Sequence, residues 1–202
     1  MSEEKFRYKT SPIAEMQGGI VLARFEKPER RVEEYQTESQ LEENMINNLV
    51  SQGYERLDVR SMDDLYANLR VQIEKLNDVT FSEDEWDRFL KEYLDAPNEG
   101  IIEKTRKIQE NHIFDFNFDD GQLKNIKIID KKNIHNNFLQ VTNQVWGEGK
   151  SRNRYDVTVL VNGLPLVHIE LKKRGVNMHE AFNQIHRYSK ESFNSENSLY
   201  KY

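Results

Sequence analysis

From Asp156 to Lys172 the chain reads Asp-Val-Thr-Val-Leu-Val-Asn-Gly-Leu-Pro-Leu-Val-His-Ile-Glu-Leu-Lys. Two runs of aliphatic and β-branched residues flank Asn162-Gly163, a dipeptide suited to tight reversal, so the segment reads as an antiparallel hairpin. Asp156, Glu170 and Lys172 are embedded among Val157, Val159, Val161, Leu166, Val167, Ile169 and Leu171. Charges in such surroundings are costly unless something pairs with them. Asp156 and Glu170 are hard oxygen donors of the kind Mg²⁺ takes, with waters and phosphate oxygens completing its shell, and Mn²⁺ suits the same donors. Lys172 lies two residues beyond Glu170, hence on the same strand face, where an ammonium can hold a water or a phosphoryl oxygen.

Strand parity sets a condition on this reading. A plain two-residue type I′ turn at Asn162-Gly163 places Asp156 opposite Ile169 and sends Glu170 to the other face. For the two carboxylates to share a cation, the hairpin must have an odd-numbered loop or carry a bulge. Gly163 in the left-handed conformation is suited to that irregularity.

Composition limits the alternatives. The chain has 202 residues, 37% hydrophobic and 32% charged, which is ample for one substantial core of a water-soluble protein. No apolar run approaches membrane-spanning length and the first thirty residues are charged throughout, so the expected location is the cytoplasm, with no membrane partner. With no cysteine, disulfides and thiolate metal sites are excluded. The net charge of −6 is unevenly divided: Lys+Arg against Asp+Glu is 13 to 23 over residues 1–100 and 16 to 12 over 101–202. The second half, with Lys131, Lys132, Arg152, Arg154, Lys173 and Arg174, is the locally basic one that phosphate contact requires.

The period of the apolar residues divides the chain. Residues 1–35 lack a sustained period and read as an amino-terminal arm with one short strand, Gly19–Phe25. Thr37 or Ser39 then caps a helix to about Gln52, with Gly53 as its stop and Glu38, Leu41, Glu42, Met45, Ile46 and Leu49 along one stripe. Glu42 sits inside that stripe, where a carboxylate wants a partner. Helices are expected over Met62–Leu76, from Ser82 to Pro97 and over Glu99–Gln109. From Ile113 the period becomes two, giving strands Ile113–Phe118, Ile126–Ile129, Phe138–Val145, Asp156–Val161 and Leu164–Leu171. A last helix, 178–193, should turn Met178, Ala181, Phe182, Ile185 and Tyr188 toward the sheet. The fold class is therefore α/β: a central mixed sheet flanked by helices, with a helical insertion before the hairpin.

An acidic residue, a following Glu-x-Lys strand and then Gln184-x-x-x-Tyr188 on a helix resemble the PD-(D/E)xK nuclease superfamily, in the branch with the Gln-x-x-x-Tyr motif. Tyr155 stands where the superfamily has its eponymous proline. Over residues 36–202, Gln40-Leu41-Glu42, Gly53-Tyr54-Glu55, Asn68 to Asn77 and Arg154 to Lys172 resemble the amino-terminal nuclease domain of the restriction (R) subunit of type I restriction-modification enzymes. That resemblance implies a DNA endonuclease domain in which Asp156 and Glu170 hold Mg²⁺ and Lys172 positions or activates the hydrolytic water. Gln184 and Tyr188 would orient the lysine or contact the DNA backbone, although Tyr188 also fits the apolar stripe. The first core helix of the superfamily often adds an acidic residue, for which Glu42 is the best match and Glu38 the second. The implied partners are double-stranded DNA and the specificity and methylation subunits. No Gly-x-x-x-x-Gly-Lys-Ser/Thr occurs, so ATP would bind only through domains outside this chain, which reads as a fragment of a longer polypeptide. A repair or junction nuclease of the same superfamily, or a non-catalytic docking module, stays open at this point. Among the histidines only His168, alternating with Glu170, is near the expected site.

Overall fold

The structure is a computed structural model that describes residues 9–16, 19–26, 36–59, 61–97, 99–143, 146–147, 153–154, 156–191 and 199. It divides into two units, residues 1–35 and 36–202. The first contains an antiparallel pair, β1 (Lys9–Met16) and β2 (Gly19–Glu26), where one strand was expected. Pro12 obscured β1 in the sequence because proline cannot donate to a ladder. Here the register shifts between Pro12 and Ala14 and again between Ala14 and Glu15, the kind of irregularity that accommodates it.

The second unit opens with α1 (Glu38–Ser51), whose first turn is closed by a reciprocal capping box between Thr37 and Gln40. Gly53, at φ 98°, follows its end, as expected of a helix stop. A two-residue strand, β3 (Glu55–Arg56), precedes α2 (Met62–Asn77), which is capped by Ser61 and ends on Asp78 in the left-handed conformation. The expected helix from Ser82 to Pro97 is shorter: α3 (Glu83–Phe89) passes into a π-helical turn, Leu90–Leu94. Next come α4 (Ile101–Gln109), β4 (Ile113–Asn117), β5 (Leu123–Lys127), β6 (Leu139–Asn143), β7 (Trp146–Gly147), β8 (Asn153–Arg154), β9 (Val157–Val161), β10 (Leu164–Ile169) and α5 (Met178–Glu191).

The central sheet has the order β10-β9-β6-β3, with β3 parallel to β6 and the other pairs antiparallel, so it is the mixed sheet expected. Strands β4 and β5 form a separate ribbon rather than part of that sheet. Its alternate residues Phe114, Phe116 and Phe118 join Phe81, Trp86, Phe89 and Tyr93 in an aromatic cluster with α3, where Tyr93 and Phe114 stack at 4.6 Å between ring centroids. Burial of these large rings outweighs extension of the central sheet.

Alternation along β9 explains how the sheet is covered. Val157 packs with Ile46 of α1 and Val141 of β6, joined by Leu49, Tyr54, Ile169 and Leu171. Leu160 belongs to the other cluster, with Leu65, Leu69 and Ile73 of α2 and the aromatic group. Helices therefore flank both faces, as the period-two pattern requires of a strand buried on each side. At the hairpin tip Gly163, at φ 83°, lies so close to α2 that a Cβ there would stand 2.6 Å from Leu69 Cα. Only glycine fits both the dihedral and the gap.

Helix α5 departs from expectation. Phe182 and Ile185 are 67% and 48% exposed, while Ala181 and Gln184 are partly buried. The stripe expected to face the sheet is uncovered at these two positions among the described residues. Periodicity identified the helix correctly but could not say which elements would reach it.

Candidate active site

The hairpin turn contains only Asn162 (φ 52°) and Gly163, and the first pair beyond it is Val161 with Leu164. The register does not stay plain. Pro165 pairs with Leu160, but Val167 pairs with Val159, leaving Leu166 as an extra residue in β10. The pairs His168 with Thr158 and Ile169 with Val157 follow. The expected irregularity is therefore present, at Leu166 rather than at Gly163. Since β10 ends the sheet, a proline at 165 and an unpaired residue at 166 disturb no further neighbour among the described strands.

This one-residue shift makes Asp156 and Glu170 the next facing positions after Val157 and Ile169. Asp156 Oδ2 accepts a hydrogen bond from the backbone N–H of Leu171 at 2.8 Å. Lys172 Nζ donates to Glu170 Oε1 at 2.6 Å, with the two side chains 16% and 4% exposed. Asp156, Glu170 and Lys172 thus form one cluster at the end of the hairpin away from its turn.

Electrostatics follow from burial and proximity. Burial holds the Glu170 carboxyl above its ordinary value and the neighbouring Asp156 raises it further, against the hydrogen bond from Lys172, which lowers it. Burial pulls Lys172 down, but the hydrogen bond with Glu170 and the charges of Glu170, Asp156 and Glu38 outweigh it, leaving the ammonium above its usual value. Lys172 is therefore a cation at neutral pH and serves as donor, not as base. Two carboxylates and one ammonium leave an excess of negative charge, and the raised Glu170 registers its cost. A divalent cation would remove that cost, and Asp156 and Glu170 are the oxygen donors that would hold it. Among the described residues no three His, Asp or Glu side chains gather as a closed metal cage.

Helix α1 contributes through its first turn. Glu38 Oε1 accepts from the backbone N–H of Lys173 at 3.4 Å and its charge acts on Lys172. Glu42, one turn later, is buried at 7% exposure. Apolar spacing along the helix favours Glu42, whereas closeness to Lys172 depends on where the helix begins relative to β10. Lys173 is exposed and Gln184 partly buried. Arg154 lies in β8 and Tyr188 in α5, but their side chains fall outside the described residues. One polar pair had no clear signal in the sequence: Thr158 Oγ1 and His168 Nδ1 lie 3.2 Å apart, one row behind the carboxylates. Burial pushes the His168 imidazole down to about 4, so it is neutral at physiological pH.

Comparison with known proteins shows the family. The family profile described as the N terminus of the type I restriction enzyme R protein matches residues 35–202. The chain belongs to this family. It is 53% identical over 194 residues to the type I restriction enzyme EcoprrI endonuclease subunit of Escherichia coli, covering 96% of this chain and 62% of that protein. It is 38% identical over 164 residues to the SauMSSORF170P endonuclease subunit of Staphylococcus aureus, covering 79% of this chain and 17% of that one. A putative type I endonuclease subunit, MjaVIIIP, of Methanocaldococcus jannaschii is 36% identical over 109 residues. The chain thus spans less than two thirds of the length of these relatives. Within this family of restriction R proteins, the matched region contains the whole hairpin and α5.

Proposed function

We propose that residues 36–202 are the DNA-cleaving endonuclease domain of a type I restriction R subunit, hydrolysing phosphodiester bonds in double-stranded DNA with Mg²⁺, or Mn²⁺ in its place. The observation that carries this reading is the bulge at Leu166, which brings Asp156 opposite Glu170 and leaves Lys172 on Glu170. A bound divalent cation would supply an acidified water and neutralise charge building on the phosphate. Asp156 and Glu170 would hold that ion, with Asp156 kept in place by the Leu171 N–H. Lys172, freed from Glu170 as the cation takes up the carboxylate, would direct its ammonium at the water or at a non-bridging phosphate oxygen. Lys173, Arg154, Gln184 and Tyr188 are assigned to DNA-backbone contact or to orientation of Lys172, and Glu42 or Glu38 to the metal site. Backbone contacts position DNA without reading its sequence, so specificity is assigned to separate specificity and methylation subunits. ATP-driven translocation is assigned to domains outside this chain and the assembly to the cytoplasm. Among the described residues no helix is long and apolar enough to cross a membrane.

The test is calorimetric titration of Mn²⁺ and Mg²⁺ into the wild-type chain, Asp156→Ala and Lys172→Ala, with nicking of supercoiled plasmid in the same buffers. Metal binding lost in Asp156→Ala alone, with nicking lost in both variants, is the expected result. Metal binding unchanged in Asp156→Ala would remove the assignment.

A further inference from the structure

The face of the hairpin that carries Asp156 and Glu170 also carries, one row further back, Thr158 and His168, since side chains two apart on a strand share a face. Thr158 is 1% exposed, and so is Thr142, which pairs with it from β6. The row Thr142, Thr158, His168 is thus a polar line crossing three strands inside the protein. An apolar row of the same shape would fill this space without the desolvation cost of two hydroxyls and an imidazole. Packing alone therefore gives no reason for it.

We infer that the Thr158–His168 pair, one row behind Asp156 and Glu170 on the same face of the hairpin, is a positioning pair that sets the separation of the two carboxylates. The inference rests on the metal-dependent reading above. The last described ladder pair is Val157 with Ile169, so Asp156 and Glu170 lie just past the point where backbone pairing holds β9 to β10. Two side-chain ties bracket Glu170 there: Thr158 Oγ1 to His168 Nδ1 at 3.2 Å on one side, and Asp156 Oδ2 to Leu171 N at 2.8 Å on the other. Each crosses from one arm of the hairpin to the other. Removing the first leaves, past the end of the backbone ladder, a side-chain tie whose acceptor is itself one of the proposed metal ligands. Groups that orient metal ligands from behind act on affinity through geometry, with typical losses of about 10- to 100-fold when they are removed.

The experiment is Mn²⁺ titration of the 202-residue chain as wild type, Glu170→Gln, Thr158→Val, Thr158→Ser and Asn162→Ala, with urea unfolding of each. Asn162 is a fully buried residue at the opposite, turn end of the same hairpin and serves as a control for general loosening. Thr158→Val is expected to weaken Mn²⁺ binding about 10-fold or more, Thr158→Ser to restore it, and Asn162→Ala to lower stability with Mn²⁺ affinity unchanged. Wild-type affinity in Thr158→Val, or equal weakening in Asn162→Ala, overturns the positioning role while loss of binding in Glu170→Gln leaves the metal site standing. If Glu170→Gln binds as well as wild type, the metal site itself falls and the positioning pair with it. A second readout needs no substitution: ring-nitrogen NMR of wild type should show His168 shifting when Mg²⁺ is added, and an unmoved His168 overturns the inference.

Discussion

Lys172 donates to Glu170 at 2.6 Å from a position where the carboxylate is only 4% exposed. Burial, against the lowering effect of that contact, makes a proton on Glu170 a competitor for any cation. Because burial and Asp156 hold this carboxyl above its ordinary value, metal affinity should weaken at a less acidic pH than for an ordinary glutamate. The expected result is a calorimetric Mn²⁺ affinity whose decline on acidification sets in at a higher pH than ordinary glutamate titration would give. In Lys172→Ala the lowering hydrogen bond is gone, so the decline should move to still higher pH.

Leu166 can be tested directly. Deleting it removes the extra residue itself, so Val159 still faces Val167 and Asp156 still faces Glu170 in a plain two-residue hairpin, whereas inserting one alanine between Val167 and His168 sets Ile169 opposite Asp156 and moves Glu170 to the other face. The deletion variant is expected to keep Mn²⁺ binding and the insertion variant to lose it as completely as Asp156→Ala, and wild-type affinity in the insertion variant would show that parity is not what assembles the site.

Gly163→Ala should be among the most damaging small substitutions. It puts a Cβ 2.6 Å from the Leu69 backbone at a φ of 83°. Left-handed backbone strain and overpacking each cost about 1–3 kcal/mol, so a loss of at least about 2 kcal/mol is expected from urea unfolding. Gly53→Ala and Gly121→Ala, where a Cβ meets nothing within 4 Å, should lose less despite their positive φ.

His168 and Asp130 each give stability a pH dependence, in separate windows. The imidazole of His168 falls from 6.5 to about 4 on folding because burial disfavours its charge. Between those values the unfolded chain binds the extra proton, so stability is complete above 6.5 and declines as pH falls toward about 4. Asp130 is lowered from 3.8 to about 2, first by the backbone N–H of Asn133 and then by Asn136, against the effect of burial. Its contribution is lost only as pH falls from 3.8 toward about 2. Urea midpoints measured across this range should show the upper slope reduced in His168→Gln and the lower one in Asp130→Asn. Unchanged slopes would contradict the burial of the one or the hydrogen bonding of the other.

Much of the fold was legible because it depends on neighbours along the chain. Thr37, Ser61 and Ser82 each close a capping box three residues on, so helix starts were visible in short-range chemistry. Strand β3 was not: two residues paired in parallel with Gln140 and Val141 leave no alternation to detect. The β4–β5 ribbon was seen as strands, but its partner was not, because Phe116 is placed by contact with Phe81 and Phe89, far off in sequence.

By itself the sequence determined the hairpin, its turn residues, and the parity condition that a shared carboxylate site demands an odd residue somewhere between Asp156 and Glu170. That condition follows from the two-residue repeat of any strand. Tertiary structure alone decided where the odd residue goes. Gly163 is pinned against Leu69, which keeps the turn tight, and the edge strand absorbs the shift at Leu166 instead. The same holds for α1, where Glu38 meets Lys173, and for α5, where Phe182 stays exposed. Each is fixed by which distant surfaces come together, and residue spacing along one element carries no record of that.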